Sequence, residues 1–333
     1  MSVPEPTKRE TIRAIMDEIA EKMQERGGID HVYCLACGGS LASCFPLEYV
    51  IRNESAAIKA SSISANEFVH VTPKNVGPRT LAVAMSLAGG TPETVKAARV
   101  AKEKGATVIV LCAKDEAPLR KYGDYVINYG DELKHEFADV NQSKLLQVGF
   151  ELLRIYDNYP YYDKAMDGFD KIQGICDSAV QKLKSRAAAF GIAHRDEPII
   201  YTLGSGPNTM ISYMQCICMF MEMEWIHSSS IHTGEFFHGP FEITDPDTPF
   251  MIFMGEGRSR ALDERALKFL RTYGKKITIV DLKELGINKI FDEVVEFFNP
   301  ILAWCAALEY AKGIAEAKQH PLLMRRYMYK VEY

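Results

Sequence analysis

Two groups of residues in this 333-residue chain have the types and spacing to do chemistry. The first lies in the segment 222–242, E-M-E-W-I-H-S-S-S-I-H-T-G-E-F-F-H-G-P-F-E. Glu222 stands at the end of an apolar helical run, among Met219, Phe220, Met221 and Met223. Apolar neighbours desolvate a carboxylate and raise its pKa, which turns it into a useful base near neutral pH. His238 follows sixteen positions later in a His-Gly-Pro loop. A carboxylate and an imidazole suit sugar tautomerisation: the carboxylate shuttles a carbon-bound proton and the imidazole serves the sugar oxygens. Glu224, two positions on from Glu222, is expected to point elsewhere. His227 and His232 raise the question of a metal, but their spacing to each other and to His238 fits no common zinc motif. No metal is expected.

The second group is Gly38, Gly39 and Ser40 together with Ser86, Ala88, Gly89, Gly90 and Thr91. Glycines let the backbone approach an anion, helix N–H groups point at it, and hydroxyls add hydrogen bonds. That combination makes a phosphate cradle without arginine. The same residues also suit ordinary strand-to-helix turns. No GxxxxGK[ST] loop is present, and Gly204-Ser205-Gly206 lacks the third glycine of a dinucleotide fingerprint. Neither a nucleoside triphosphate nor NAD is therefore expected.

The elements that would position these residues are legible as alternating strands and helices. Ile12, Ile15, Met16, Ile19 and Met23 recur at helical steps, predicting an N-terminal helix over 8–26. Apolar runs at 31–37, 80–86, 105–112 and 125–128 read as strands, with a weaker one at 56–62. Thr91 and Pro92 form an N-cap and first-turn pair for the helix after the third strand. Helices are expected at about 141–156 and 164–190, with Tyr159–Tyr162 between them. The second half repeats the plan, with strands at 198–203, 249–254 and 276–280, a helix from about Leu262 and a last helix at 299–318. Gly38 and Gly204 lie 166 positions apart, and Gly105 and Gly274 lie 169 apart. Matching features at nearly one offset argue for two copies of one α/β fold, each a parallel sheet flanked by helices.

Bulk composition excludes several classes. Charged residues make up 25% and the net charge is -5, without a basic run of the length of a nucleic-acid tail. No apolar stretch approaches the ~20 residues of a membrane span. The charged N-terminus lacks a signal-peptide core, so a cytoplasmic location is expected. Eight cysteines show no disulfide or zinc framework, and Cys34-Leu-Ala-Cys37 reads as structural.

The segment G-E-F-x-H-G-P-x-E-I and the terminal R-R-Y…V-E-Y resemble the fructosamine-6-phosphate deglycases, relatives of the isomerase part of glucosamine-6-phosphate synthase. The resemblance covers nearly the whole chain. It implies two tandem sugar isomerase (SIS) domains, at 30–160 and 161–319, after an N-terminal helix within 1–29. A tail over 320–333 would dock near the active site. By that resemblance Glu222 matches the catalytic base, and His238 matches a histidine that reaches the site from a neighbouring subunit. Gly38, Gly39, Ser40, Ser86, Ala88 and Thr91 match phosphate ligands, and Lys330 matches a tail lysine that approaches the sugar.

Three departures from the synthase bear on function. In Ser86-Leu87-Ala88 the second hydroxyl of the synthase's S-x-S phosphate loop is missing, Met219 replaces a lysine, and the chain does not open on a cysteine, so no ammonia-supplying domain is expected. The implied activity is cofactor-independent cleavage of a 6-phosphorylated sugar–amine adduct by a homodimer or larger homo-oligomer. A sugar-phosphate isomerase or amino-sugar deaminase, and a non-catalytic sugar-phosphate sensor, remain alternatives. Neither nucleic acid nor membrane is an expected partner.

Overall fold

The computed structural model describes residues 4–130, 134–328 and 330–332, so Tyr329 and Tyr333 of the terminal motif lie outside the described residues. The chain divides into two units, Met1–Phe169 and Asp170–Tyr333. The first begins with α1 (Arg9–Gln24), whose buried stripe is Ile12, Met16, Ile19 and Met23 at helical spacing. Its sheet has five parallel strands in the order β2-β1-β3-β4-β5. These are β1 (His31–Ala36), β2 (Lys59–Ser64), β3 (Thr80–Met85), β4 (Thr107–Leu111) and β5 (Tyr125–Ile127). The central strands are apolar throughout because helices cover both faces; every residue of β3 is buried. Helices α2 (Gly38–Glu54), α3 (Ala65–His70), α4 (Pro92–Glu103) and α5 (Asn141–Asp157) follow the strands, and α6 (Tyr162–His194) comes next.

The second unit has four parallel strands in the order β7-β6-β8-β9. They are β6 (Ile199–Gly204), β7 (His227–His232), β8 (Phe250–Met254) and β9 (Ile277–Asp281). Taken strand for strand, this is the order of the first sheet without its fifth member, as the repeated glycine offsets imply. Its helices are α7 (Thr209–Met214), α8 (Arg260–Tyr273), α9 (Leu282–Leu285) and α10 (Val295–Lys318). Phe236, Phe250, Ile252 and Leu270 form the centre of one core cluster under α8.

Three local expectations change, and one strand was not foreseen. His227–His232, for which the sequence predicts no element, is an edge strand with mostly exposed or half-buried residues, so its polar sequence hides it. The run ending at Glu222 is not continuous α-helix, because Gln215–Glu224 winds as a π-helix. Helix α10 begins ahead of the expected start and carries Pro300 inside it, although proline normally marks a helix boundary. Thr91 stands at the N-cap of α4, but its hydroxyl makes no capping bond and turns instead to Ser86.

Candidate active site

In an open α/β sheet, ligands bind beyond the carboxyl ends of the strands where the strand order reverses. In the first unit that point lies between β1 and β3, which pair directly. The turn after β1 is Gly38-Gly39-Ser40, opening α2; the turn after β3 runs from Ser86 to Thr91, opening α4. The expected cradle residues are therefore brought to one place. Ser86 and Thr91 share a hydrogen bond between their hydroxyls, 2.8 Å long. Gly89 has φ +62, and a Cβ there would stand 2.3 Å from that of Ala117, so glycine is required. A Cβ on Gly38 or Gly90 would meet nothing within 4 Å, which leaves open approaches to the backbone. Leu87, Ala88 and Gly90 are exposed. Among the described residues no chain group accepts from their N–H groups. Ser40 is half-buried in the first turn of α2.

In the second unit Glu222 lies near the end of the π-helix. That helix closes at Trp225, which adopts a left-handed conformation (φ +58) so that Ile226 N–H can donate to the Phe220 carbonyl at 2.8 Å. Glu222 is half-buried, and burial pushes its carboxyl above the usual range while Arg325 opposes the shift. Arg325 Nε stands 2.8 Å from Glu222 Oε1. Single long π-helical stretches are rare and often mark functional positions.

Glu224, two positions on, has surroundings different from those of Glu222. It is fully buried. Its carboxyl is pushed up to about 7, chiefly by burial, with Lys318 opposing. Neither carboxylate oxygen has a hydrogen-bond partner among the described residues. His238 lies in an exposed turn, its N–H bonded to the Glu235 carbonyl at 2.9 Å. No hydrogen bond or ion pair joins it to Glu222 among the described residues. Lys330 is exposed and donates to the Arg325 carbonyl. His227 and His232 sit at opposite ends of β7. Among the described residues no group of three His, Cys, Asp or Glu side chains is arranged to hold a metal ion.

Sequence reasoning missed Arg325, because tail and helix meet only in the fold. It also missed Asp263, on the first turn of α8. The Asp263 carboxylate accepts from the hydroxyls of Ser205 (2.7 Å) and Thr233 (2.8 Å) and from Gly255 N–H (3.3 Å). A carboxylate in the first turn of a helix was the only available signal.

Residues 28–142 match the SIS domain family. The chain is 42% identical over 320 residues to the fructosamine deglycase FrlB of Bacillus subtilis, covering 95% of this chain and 97% of that protein. It is 25% identical over 272 residues to the fructoselysine 6-phosphate deglycase of Escherichia coli K12, covering 82% of this chain and 78% of that one. A solved structure from Salmonella typhimurium LT2, described as a phosphosugar isomerase, superposes with a TM-score of 0.93 at 38% identity. That match covers 98% of this chain and 99% of the other.

Proposed function

The chain belongs to the fructosamine deglycase family of SIS-domain proteins, and from that premise we propose that it cleaves a 6-phosphorylated fructosamine adduct into a hexose 6-phosphate and a free amine. Glu222 is the base. It removes a proton from the sugar carbon bearing nitrogen, giving an enaminol. Return of a proton at the adjacent carbon gives an imine, and water hydrolyses the imine to the sugar aldehyde and the amine. Electrons move only within the substrate, so the steps balance without an external oxidant or reductant. His238 assists at the sugar oxygens.

Ser40, Ser86 and Thr91, with the backbone of Gly38, Gly39 and Ala88, hold the 6-phosphate. Binding that group, remote from the reacting carbon, fixes the orientation of the reacting end. Lys330 contributes from the tail. The protein acts in the cytoplasm; no described helix is long and apolar enough to cross a membrane.

The observation that carries this reading is the Glu222 carboxylate, half-buried and raised in pKa by that burial. A solvated carboxylate is too weak a base for a carbon acid, and a desolvated one gains basicity. Glu222→Gln keeps the shape and removes the base. Its turnover of a phosphorylated fructosamine, read as free amine released, should fall by ~10²–10⁴ while phosphate binding persists. Near-normal release would rule out Glu222 as the base.

The exposed position of His238 fits a homodimer in which it completes the partner's site. Mixing the Glu222→Gln and His238→Asn chains should then restore part of the activity. No recovery despite subunit exchange, followed by mass spectrometry, would count against a shared site. Amine release also separates deglycation from simple isomerisation, which uses the same base.

A further inference from the structure

The tail that leaves α10 returns to the helix end that carries Glu222, and several contacts hold it there. Lys318 Nζ, at the end of α10, donates to the Glu224 carbonyl at 2.6 Å. His320 packs edge-on against the Trp225 ring, with centroids 4.4 Å apart. The Arg326 guanidinium lies 4.0 Å from the centroid of the same ring, a cation–π contact. Trp225 is thus gripped by two tail residues. Between them the chain turns, and Arg325 Nη1 donates to the tail's own carbonyls at Leu322 (2.9 Å) and Met324 (3.0 Å). Lys330 donates in turn to the Arg325 carbonyl. The guanidinium is therefore anchored on one edge, and its Nε lies 2.8 Å from Glu222 Oε1 as an ion pair without hydrogen-bond alignment. Both side chains are largely shielded, 12% and 25% exposed.

We propose that Arg325 is a positioning residue for Glu222: the tail turn, clasped on Trp225, fixes a positive charge against one carboxylate oxygen and leaves Oε2 to take the proton. The inference rests on Glu222 being the base. An anchored guanidinium restricts the carboxylate to one rotamer and favours its ionised form, whereas burial alone favours the protonated form. The two effects oppose each other at Glu222, burial being the larger. Without the arginine the base would be occupied by its own proton over more of the neutral range. Other titratable groups lie close by. Glu224 shares the π-helix and has Lys318 of α10 against its carbonyl. His227 and His232 belong to β7, and His320, Arg326 and Lys330 to the tail. Arg325 is the group whose charge acts on Glu222.

The test is kcat against pH for amine release from a phosphorylated fructosamine, using wild type, Arg325→Met, Arg325→Lys and Glu222→Gln. In Arg325→Met the acid limb should move up by ~1 pH unit or more, so that kcat below the limb falls ~10-fold and recovers at alkaline pH. Arg325→Lys, which keeps the charge, should move the limb back toward wild type. Trp225→Leu leaves Arg325 in the chain but removes its clasp, and should shift the limb in the same direction. It serves if Arg325→Met does not fold.

An unmoved limb in Arg325→Met, with Glu222→Gln inactive, overturns this proposal alone. Turnover by Glu222→Gln overturns the base assignment and this proposal with it. A loss of kcat equal at every pH makes the tail a structural staple, and also overturns it. So does a rise in KM confined to adducts bearing an α-carboxylate, because Arg325 would then be a ligand for the substrate.

Discussion

The two units repeat one strand order, yet they treat the point where that order reverses in opposite ways. Between β1 and β3 the turns are open. The hydroxyls of Ser86 and Thr91 bond to each other, at 2.8 Å, and among the described residues the N–H groups of the exposed Leu87, Ala88 and Gly90 have no acceptor in the chain. Two hydroxyls sharing one hydrogen bond still have a proton and lone pairs to offer. Between β6 and β8 the corresponding turns are filled by the chain itself. Asp263 gathers Ser205, Thr233 and Gly255. Glu256 N–H donates to Asn299 Oδ1 at 3.2 Å, and Arg258 N–H donates to Glu296 Oε2 at 2.9 Å. Gly257 has φ +112, and a Cβ there would stand 2.5 Å from that of Glu296, so that turn is closed over its carboxylate. Carboxylates thus occupy in the second unit the position that corresponds to the phosphate site proposed for the first. A strand end rich in donors favours an anion, and in the second copy the chain supplies its own.

This comparison is most directly broken by removing the internal anion. Asp263→Ala would leave the Thr233 hydroxyl and the Gly255 N–H without an acceptor in a buried place, while Ser205 keeps the Ser259 carbonyl at 3.2 Å. Each such loss costs ~1–3 kcal/mol, partly relieved by entering water. The fold should lose ~3–5 kcal/mol in chemical denaturation, the range for breaking a buried polar network. Ser86→Ala, on the open copy, should cost less than ~1 kcal/mol of stability by the same measurement. Equal losses at the two positions would show that both turns are purely structural.

A second test uses protons. Burial pushes the Asp263 carboxyl up to about 6 from its ordinary 3.8, against the pull of its three donors and Arg260. Between those two values the native state binds more protons than the unfolded chain. Stability from this group is therefore fully present below pH 3.8 and is lost as pH rises through 6, by on the order of 3 kcal/mol. Glu224, pushed up to about 7, adds a fall of the same sign from 4.5 upward. Asp263→Asn cannot titrate. The stability of wild type relative to this variant should decline across pH 4–6 and level off above it. A flat difference would mean that the donors cancel the effect of burial, and a rise with pH would mean that they outweigh it.

What the sequence revealed and what it hid divide along a physical line. Buried parallel strands are continuous apolar runs, so β1, β3, β4, β6, β8 and β9 were legible. The edge strand β7, H-S-S-S-I-H, was not, because one of its sides has no strand to demand apolar residues. The π-helix escaped because an apolar run carries no mark of its hydrogen-bond register. Glu222, His238 and the two glycine turns stood out as candidates by local spacing, and their roles were read from the family resemblance. Arg325 and Asp263 were not: each matters through a residue far away in sequence, Glu222 in one case and Ser205 and Thr233 in the other. The burial of Glu224 was not legible because burial at a helix end depends on what packs there, here α10 with Lys318.

The smallest expected effect is the most specific to the open copy. If Ser86 and Thr91 donate to a phosphate, Ser86→Ala removes one hydrogen bond to a charged group, worth ~1.5–3 kcal/mol. The lower bound is expected, because Thr91, freed from its bond to Ser86, can turn toward the ligand. That corresponds to roughly tenfold weaker inhibition by glucose 6-phosphate. Thr91→Val, which keeps the shape, should behave alike, since the Thr91 hydroxyl makes no capping bond that the helix would miss. The double variant then tests their coupling. Partners in one hydrogen-bonded pair give a non-additive sum, because the first removal already frees the second hydroxyl. Asp263→Asn, which changes only the self-filled copy, should leave this inhibition constant unchanged. If it weakens inhibition as much as Ser86→Ala does, the phosphate is not held by the first copy alone, and the contrast between an open and a filled strand end loses its functional meaning.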